Sequence, residues 1–370
     1  MNTSSISQSE ADALNKKLAN KDNETRVFIK SHLINLPSLI SNIKVKNLHF
    51  IFYIMGDMTI EVQRWIQLDK LLRDHQVSFL CASTAQLKQV NLFTNNKVAV
   101  LCQYPVESEL KKTNNNDSIQ LVYAGRITPQ KNINKLLKVF IKASKIKKGM
   151  NLSIAGEFHS RTYPFYGSGE DNKDYKEEFF KLVKSSNGLI TYHGNLCQND
   201  LAELFSESSH LINISTYMDE DFSIVAAQAM SCGLKIITTQ WGGLKDHNPP
   251  KSRYTIPIFL SDNNLYQPDL GELFKALILT TPQTQELSDD VISYFKSKYS
   301  INTISQRLSS ILNTNGQKYC GQSELFFEYS RKYNKPRFTN KVIGCPFLVA
   351  SENEKEQVRS LIDRIYTSYT

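Results

Sequence analysis

From residue 118 onward, short β-branched runs alternate with longer segments whose apolar positions recur at helical spacing. The runs are IQLVYAG (119–125), NLSIAG (151–156), GLITYHG (188–194), HLINIS (210–215), LKIITT (234–239) and YTIPIFL (254–260). Between them lie NINKLLKVFIKASKIK, DYKEEFFKLVKSS, NDLAELFSESS and DFSIVAAQAM, the first apolar at 133, 136, 137, 140 and 141. Strand and helix signals in strict alternation predict an α/β fold with a parallel, doubly wound sheet. In such sheets ligands bind beyond the carboxyl ends of the strands, so the residues just after each strand are the first candidates for chemistry.

Residues 26–101 repeat the pattern less cleanly. RVFIK, LHFIFYIM, VSFLCAS and KVAVLCQ read as strands, and TIEVQRWIQLDKLLRDH (59–75) as an amphipathic helix. The polar tract ESELKKTNNNDS (107–118) reads as a linker. A polar, helix-compatible arm occupies about the first 20 residues, and an aromatic-bearing tail follows residue 315 with a last helix candidate at 351–366. The expected division is an N-terminal Rossmann-like domain over 1–113, a second over 118–315, and a tail, 316–370, packing back toward the first.

The 370 residues suffice for two cores, and 41% hydrophobic with 22% charged residues is an ordinary globular balance. A net charge of +8 is spread along the chain, with clusters at KASKIKKG (142–149) and ELKK (109–112). Such charge fits either attraction to anionic lipid or phosphorylated substrates, or plain solubility. No apolar run reaches the length of a membrane helix and the polar start lacks a signal-peptide core, so a cytoplasmic location is expected, with peripheral membrane contact open. Six cysteines without a CxxC pair read as reduced thiols, neither a disulfide framework nor a zinc site.

Two stretches carry chemistry. In YAGRITPQKN (123–132) a strand ends, Gly125 turns, and Arg126 and Lys131 share one loop just before a helix begins near Asn132. Two cations and a helix N-terminus suit a diphosphate, whose charge grows as its bond breaks; two solvated surface cations are the plainer reading. In DEDFSIVAAQAMSCGLKIITTQWGG (219–243), Phe222 to Met230 read as a short buried helix stopped by Gly233. Asp219, Glu220 and Asp221 then sit at its N-terminus, where capping accounts for one or two acids and does not need three.

These motifs, with LSIAGE and ITYHGNL between them, resemble the retaining group-1 glycosyltransferases, relatives of glycogen and sucrose-phosphate synthases, over roughly residues 118–312. The resemblance implies a GT-B fold, two Rossmann-like domains facing a cleft, with the N-terminal one reduced. It implies that Gly125, Arg126 and Lys131 hold the donor diphosphate, that Glu220 meets the donor sugar beside Asp221, Phe222 and Ser223, and that Gln228 meets the nucleotide ribose. Gln228 stands where the family has Glu, and Ser223 where many relatives have Gly.

The N-terminal half departs further from that family. It has no glycine before Gly56, and Met55 stands where a His is expected, leaving Asp57 and His32 as acceptor-side candidates. About 110 residues serve where the family usually has 160 or more, so either the acceptor side is reduced, or a partner chain supplies the missing elements, or the chain start is short.

The implied partners are a nucleotide-diphosphate sugar as donor and a glycan or lipid-linked acceptor, in surface polysaccharide synthesis. No metal or other cofactor is implied, because Arg126 and Lys131 neutralise the diphosphate, although three adjacent carboxylates could also hold Mg²⁺ or Mn²⁺. The alternative is a non-catalytic glycosyltransferase-like subunit that binds nucleotide, glycan or a catalytic partner. An NAD-type Rossmann enzyme is disfavoured because no GxGxxG follows a strand. Nucleic acid is disfavoured because the basic residues form no recognised module.

Overall fold

A computed structural model describes residues 8–19, 25–30, 36–54, 56, 58, 62–96, 99–107, 118–158, 169–216, 220–261 and 266–327. The chain divides into two compact units, Met1–Gln103 with Gln306–Arg337, and a second that contains Tyr104–Ser305.

In the first unit, β1 (Arg26–Ile29), β2 (His49–Tyr53), β3 (Gln76–Cys81) and β4 (Ala99–Leu101) pair in parallel in that order. The helices are α1 (Gln8–Ala19), α2 (Leu36–Ser41), α3 (Val62–Leu71) and α4 (Thr84–Phe93). The expected 59–75 helix is thus confined to 62–71 among the described residues. All five residues of β2 are buried, so it reads as a continuous apolar run, as a parallel strand covered on both faces must. Phe52 stacks on Phe79 at 5.7 Å between ring centroids, and Trp65 from α3 closes edge-on over both at 6.0 and 6.1 Å.

The second unit contains β5 (Ile119–Ala124), α5 (Ile133–Ile146), β6 (Met150–Ala155), α6 (Gly169–Ser185), β7 (Ile190–Gly194), α7 (Gln198–Ser206), β8 (His210–Asn213), α8 (Ile224–Ser231), β9 (Lys235–Thr239) and β10 (Arg253–Ile256). Its six strands are ordered β10-β9-β8-β5-β6-β7 and all pair in parallel. The buried stripe of α5, Ile133, Leu136, Leu137, Phe140 and Ala143, packs into a core with Leu121, Leu152, Ile212 and Ile237. Each of the Leu, Ile and Phe side chains among them contributes about 1.5–3 kcal/mol on burial.

YTIPIFL, expected as one strand, is two. Pro257 has no N–H to continue the ladder, so β10 ends at Ile256 and β11 (Ile258–Leu260) turns away to pair antiparallel with β12 (Tyr266–Pro268). Helices α9 (Leu270–Leu279), α10 (Gln285–Tyr299) and α11 (Ile301–Leu312) follow.

A last short strand, β13 (Gln317–Lys318), pairs antiparallel with the start of β3 in the first unit. Buried Asp69 fastens this segment. Its Oδ1 accepts from the Gln322 N–H (2.7 Å) and the Tyr319 hydroxyl (3.2 Å), while Oδ2 accepts from Arg73 (2.8 Å). Among the described residues no helix is long and apolar enough to cross a membrane.

Candidate functional site

The chain builds β5, β6 and β7 outward on one side, then returns to lay β8 on the other side of β5. That reversal opens a crevice beyond the carboxyl ends of β5 and β8, the position where doubly wound sheets bind ligands. Both motif loops leave the sheet there.

The loop after β5 is held by backbone at close quarters. The Gly125 N–H donates to Ala155 O at 3.0 Å, and a Cβ on Gly156, at the end of β6, would lie 1.9 Å from Gly125 O. No side chain fits at Gly156, and Gly125, at φ 143°, holds a backbone conformation that other residues rarely adopt. The Tyr123 hydroxyl donates to Arg126 O (2.8 Å), and a 3-10 turn over Pro129–Lys131 follows. Asn132 takes a left-handed conformation, φ 57°, and its Nδ2 donates to Ile214 O and Thr216 Oγ1, both at 3.0 Å. One asparagine therefore ties the β5 loop to the loop after β8.

That tie brings together two residues 89 positions apart: Lys131 Nζ forms an ion pair with the Glu220 carboxylate. The side chains are 11% and 7% exposed. An ion pair so sheltered resists screening by salt and is geometrically fixed, unlike the surface pairs elsewhere in the chain. Arg126 is half-buried on the same loop. The helix N-terminus after Asn132 is partly engaged already, since the Asn134 N–H donates to the Tyr175 hydroxyl (3.2 Å).

The acidic stretch divides. Glu220 joins Lys131; Asp219 lies outside the described residues; Asp221 turns to the protein. Its Oδ1 accepts from the Phe222 N–H (2.8 Å) and its Oδ2 from the Tyr104 hydroxyl (3.1 Å). The helix expected from Phe222 starts at Ile224, because Ser223 is left-handed (φ 60°, ψ 73°) and its side chain makes no capping bond. A serine there costs of order 1 kcal/mol in strain that glycine would avoid.

Phe222 is instead a buried plug, edge-on to Tyr104 (5.5 Å) and Tyr299 (5.3 Å). Ile224, within the segment expected as a short buried helix, is 48% exposed. The helix ends as expected at Gly233, φ 81°, where a Cβ would meet Ser288 Oγ at 2.0 Å.

The Gly-Gly turn has a steric reason. The Gly243 N–H donates to Glu220 O at 2.7 Å, and Cβ atoms on Gly242 and Gly243 would lie 2.4 Å from Glu220 O and 2.1 Å from Asp221 O. The turn is the platform on which the Glu220 backbone rests. Gln228 faces a recess of about 150 Å³ lined by Gln198, Asn199, Leu201, Phe205 and Ser231.

His247 and Tyr104 support the site and carried no signal readable in the sequence. His247 Nε2 bonds to Phe222 O, an acceptor only, so Nε2 holds the proton. Burial pushes this imidazole down to about 4 from an ordinary 6.5, its bond to the Phe222 carbonyl opposing. The unfolded chain therefore takes up a proton between pH 6.5 and 4 that the folded one refuses. Stability should be unaffected by His247 above pH 6.5 and should fall by about 3 kcal/mol as pH drops to 4. Urea unfolding across that range checks this, and His247→Gln should flatten the slope.

His32, Met55 and Asp57 lie outside the described residues. Among the described residues no group of three or more His, Cys, Asp or Glu side chains could hold a metal ion.

Residues 106–256 match the model of the family Glycosyl transferases group 1. Lipopolysaccharide 1,2-N-acetylglucosaminetransferase of Salmonella typhimurium is 21% identical over 192 residues, 52% of this chain and 47% of that protein, so the match spans about half of the relative's length. Among solved structures, Anabaena Alr3699/HepE in complex with UDP superposes with a TM-score of 0.64 at 12% identity, covering 82% of each chain. Sucrose-phosphate synthase from Thermosynechococcus elongatus gives 0.58 at 16% identity, over 82% of this chain and 76% of that one. The chain thus has the GT-B fold, and its segment 106–256 carries the signature of the group-1 glycosyltransferases.

Proposed function

We propose that this chain transfers a sugar from a nucleotide-diphosphate sugar to a glycan or lipid-linked acceptor, with retention of anomeric configuration, in surface polysaccharide synthesis at the cytoplasmic side of a membrane. The sheltered Lys131–Glu220 pair at the sheet reversal carries the reading. A buried carboxylate on a fixed backbone is built to accept hydrogen bonds from sugar hydroxyls. The lysine beside it, with Arg126, is placed to take up the negative charge that the diphosphate gains as the anomeric C–O bond breaks. Those cations do the work a metal does elsewhere, so the reading needs none. Gln228, opening on its recess, takes the nucleoside.

For retention, the acceptor hydroxyl attacks on the face the diphosphate leaves, and a departing phosphate oxygen takes its proton. The UDP held by the Anabaena protein makes uridine nucleotides the first to test, and the Salmonella relative supports a lipopolysaccharide-type acceptor.

Incubating the purified protein with UDP-, GDP- and ADP-sugars tests the proposal. One donor should be consumed with a product that keeps the donor's anomeric configuration by proton NMR, and Arg126→Ala should lower kcat/KM by about 100-fold or more. No turnover of any donor, or an unaffected Arg126→Ala, overturns it.

A second reading, a nucleotide-binding subunit without catalysis, is favoured by Gln228, by Met55 and by the absence of any glycine before Gly56. Gln228→Glu restores a charge-assisted bond to a ribose hydroxyl, so UDP should bind about 5- to 10-fold more tightly. Gained turnover with that variant supports an attenuated enzyme; tighter binding without turnover supports the subunit.

A further inference from the structure

The cluster KASKIKKG plays no part in the site described above. It forms the carboxyl end of α5, whose amino end starts beside the Lys131 loop, so its 14 residues carry it about 21 Å to the amino ends of the strands. There Lys147 Nζ donates to Ile278 O at 2.6 Å and also to Thr280 O, capping the end of α9.

This cap holds the ends of α5 and α9 together, and their last residues, Ile146 and Leu279, are 68% and 63% exposed, the two most exposed large hydrophobic side chains among the described residues. Lys142, Lys145 and Lys148 stand exposed around them, and Lys184 ends the neighbouring helix α6. Segment 142–149 contains no acid, and the acids nearest Leu279 in sequence are Glu272, paired with Lys275 in the first turn of α9, and Glu286. Two apolar knobs in a ring of unopposed lysines have a simple complement: an anionic surface with an apolar layer just beneath it.

We propose that this end of α5 and α9 docks on an anionic lipid bilayer, Ile146 and Leu279 entering the acyl boundary while Lys142, Lys145 and Lys148 meet lipid phosphates. Binding is reversible and salt-sensitive, because two side chains and a few charges amount to a weak anchor. The donor crevice stays at the carboxyl ends of the strands, clear of the bilayer. The inference specifies where the membrane contact named in the proposed function lies, and its test needs no catalysis.

Flotation of the full-length protein with vesicles of phosphatidylcholine, alone or mixed with phosphatidylglycerol, decides it. The protein should float with the anionic vesicles only. Lys142→Glu/Lys145→Glu should weaken the partition by about 25-fold or more, at about fivefold for each lysine near the surface. Ile146→Ser/Leu279→Ser should keep binding at low salt and lose it at salt concentrations the wild type withstands. All four positions are exposed, so unchanged melting curves are expected. Wild type that ignores anionic vesicles, or variants that float like it, overturns the proposal. So does gel filtration showing a dimer that Ile146→Ser/Leu279→Ser dissociates, since the patch is then covered by a second copy.

Discussion

Lys131→Ala should lower kcat/KM for sugar transfer by about 10²–10³-fold, the cost of removing one group that stabilises developing charge. It should also destabilise the second unit by about 3–5 kcal/mol, because Glu220, 7% exposed, is left as a buried carboxylate without its cation. The two effects must be separated. Glu220→Gln does so: its amide oxygen still accepts a bond from Lys131, so stability should fall by less than in Lys131→Ala, while the sugar loses a charge-assisted contact. Rates measured at a temperature where denaturation curves show both variants folded should be low for both. Full activity in Glu220→Gln would remove Glu220 from the site.

The other large effect is steric. Gly243→Ala sets a methyl group 2.1 Å from Asp221 O and 2.8 Å from Phe222 Cα, both backbone atoms that cannot step aside alone. The strand-to-helix corner must shift or the turn must open, at about 3 kcal/mol and a drop of about 6–12 °C in Tm for a unit of this size. Gly188→Ala is the control. Its Cβ meets nothing within 4 Å, so only the strain of φ 85° remains, about 1–2 kcal/mol. Because Gly243 also holds Glu220 O, Gly243→Ala should lose nucleotide affinity and Gly188→Ala should not. Thermal melts with and without UDP compare them.

The parallel sheet of the second unit was legible because each strand is a compact β-branched run and each helix keeps a clear apolar stripe, as in α5. Lys131 and Glu220 could be nominated from their motifs. Their pairing could not, since it depends on the left-handed Asn132 reaching Ile214 and Thr216 across the strand reversal.

The start of α8 was misplaced because Phe222 is as apolar as a helix-face residue, and composition does not reveal that Ser223 is left-handed. Asp221 looked like Glu220 in the sequence; only the arrival of Tyr104 from 117 residues away separates their roles. Pro257 was visible and should have divided its strand. In the first unit β13 has only two residues, too short to give a period.

The central claim is that the crevice beyond β5 and β8 binds a nucleotide diphosphate through Arg126 and the Lys131–Glu220 pair. Titration calorimetry of UDP, GDP and ADP into the wild-type protein and Arg126→Ala tests it most directly, since Arg126 can be truncated without unpairing Glu220. The account predicts that one nucleotide binds the wild type, and that Arg126→Ala weakens it about tenfold or more at a temperature where its melting curve shows it folded. Equal affinity in the two proteins, or no binding of any of the three nucleotides, would contradict it.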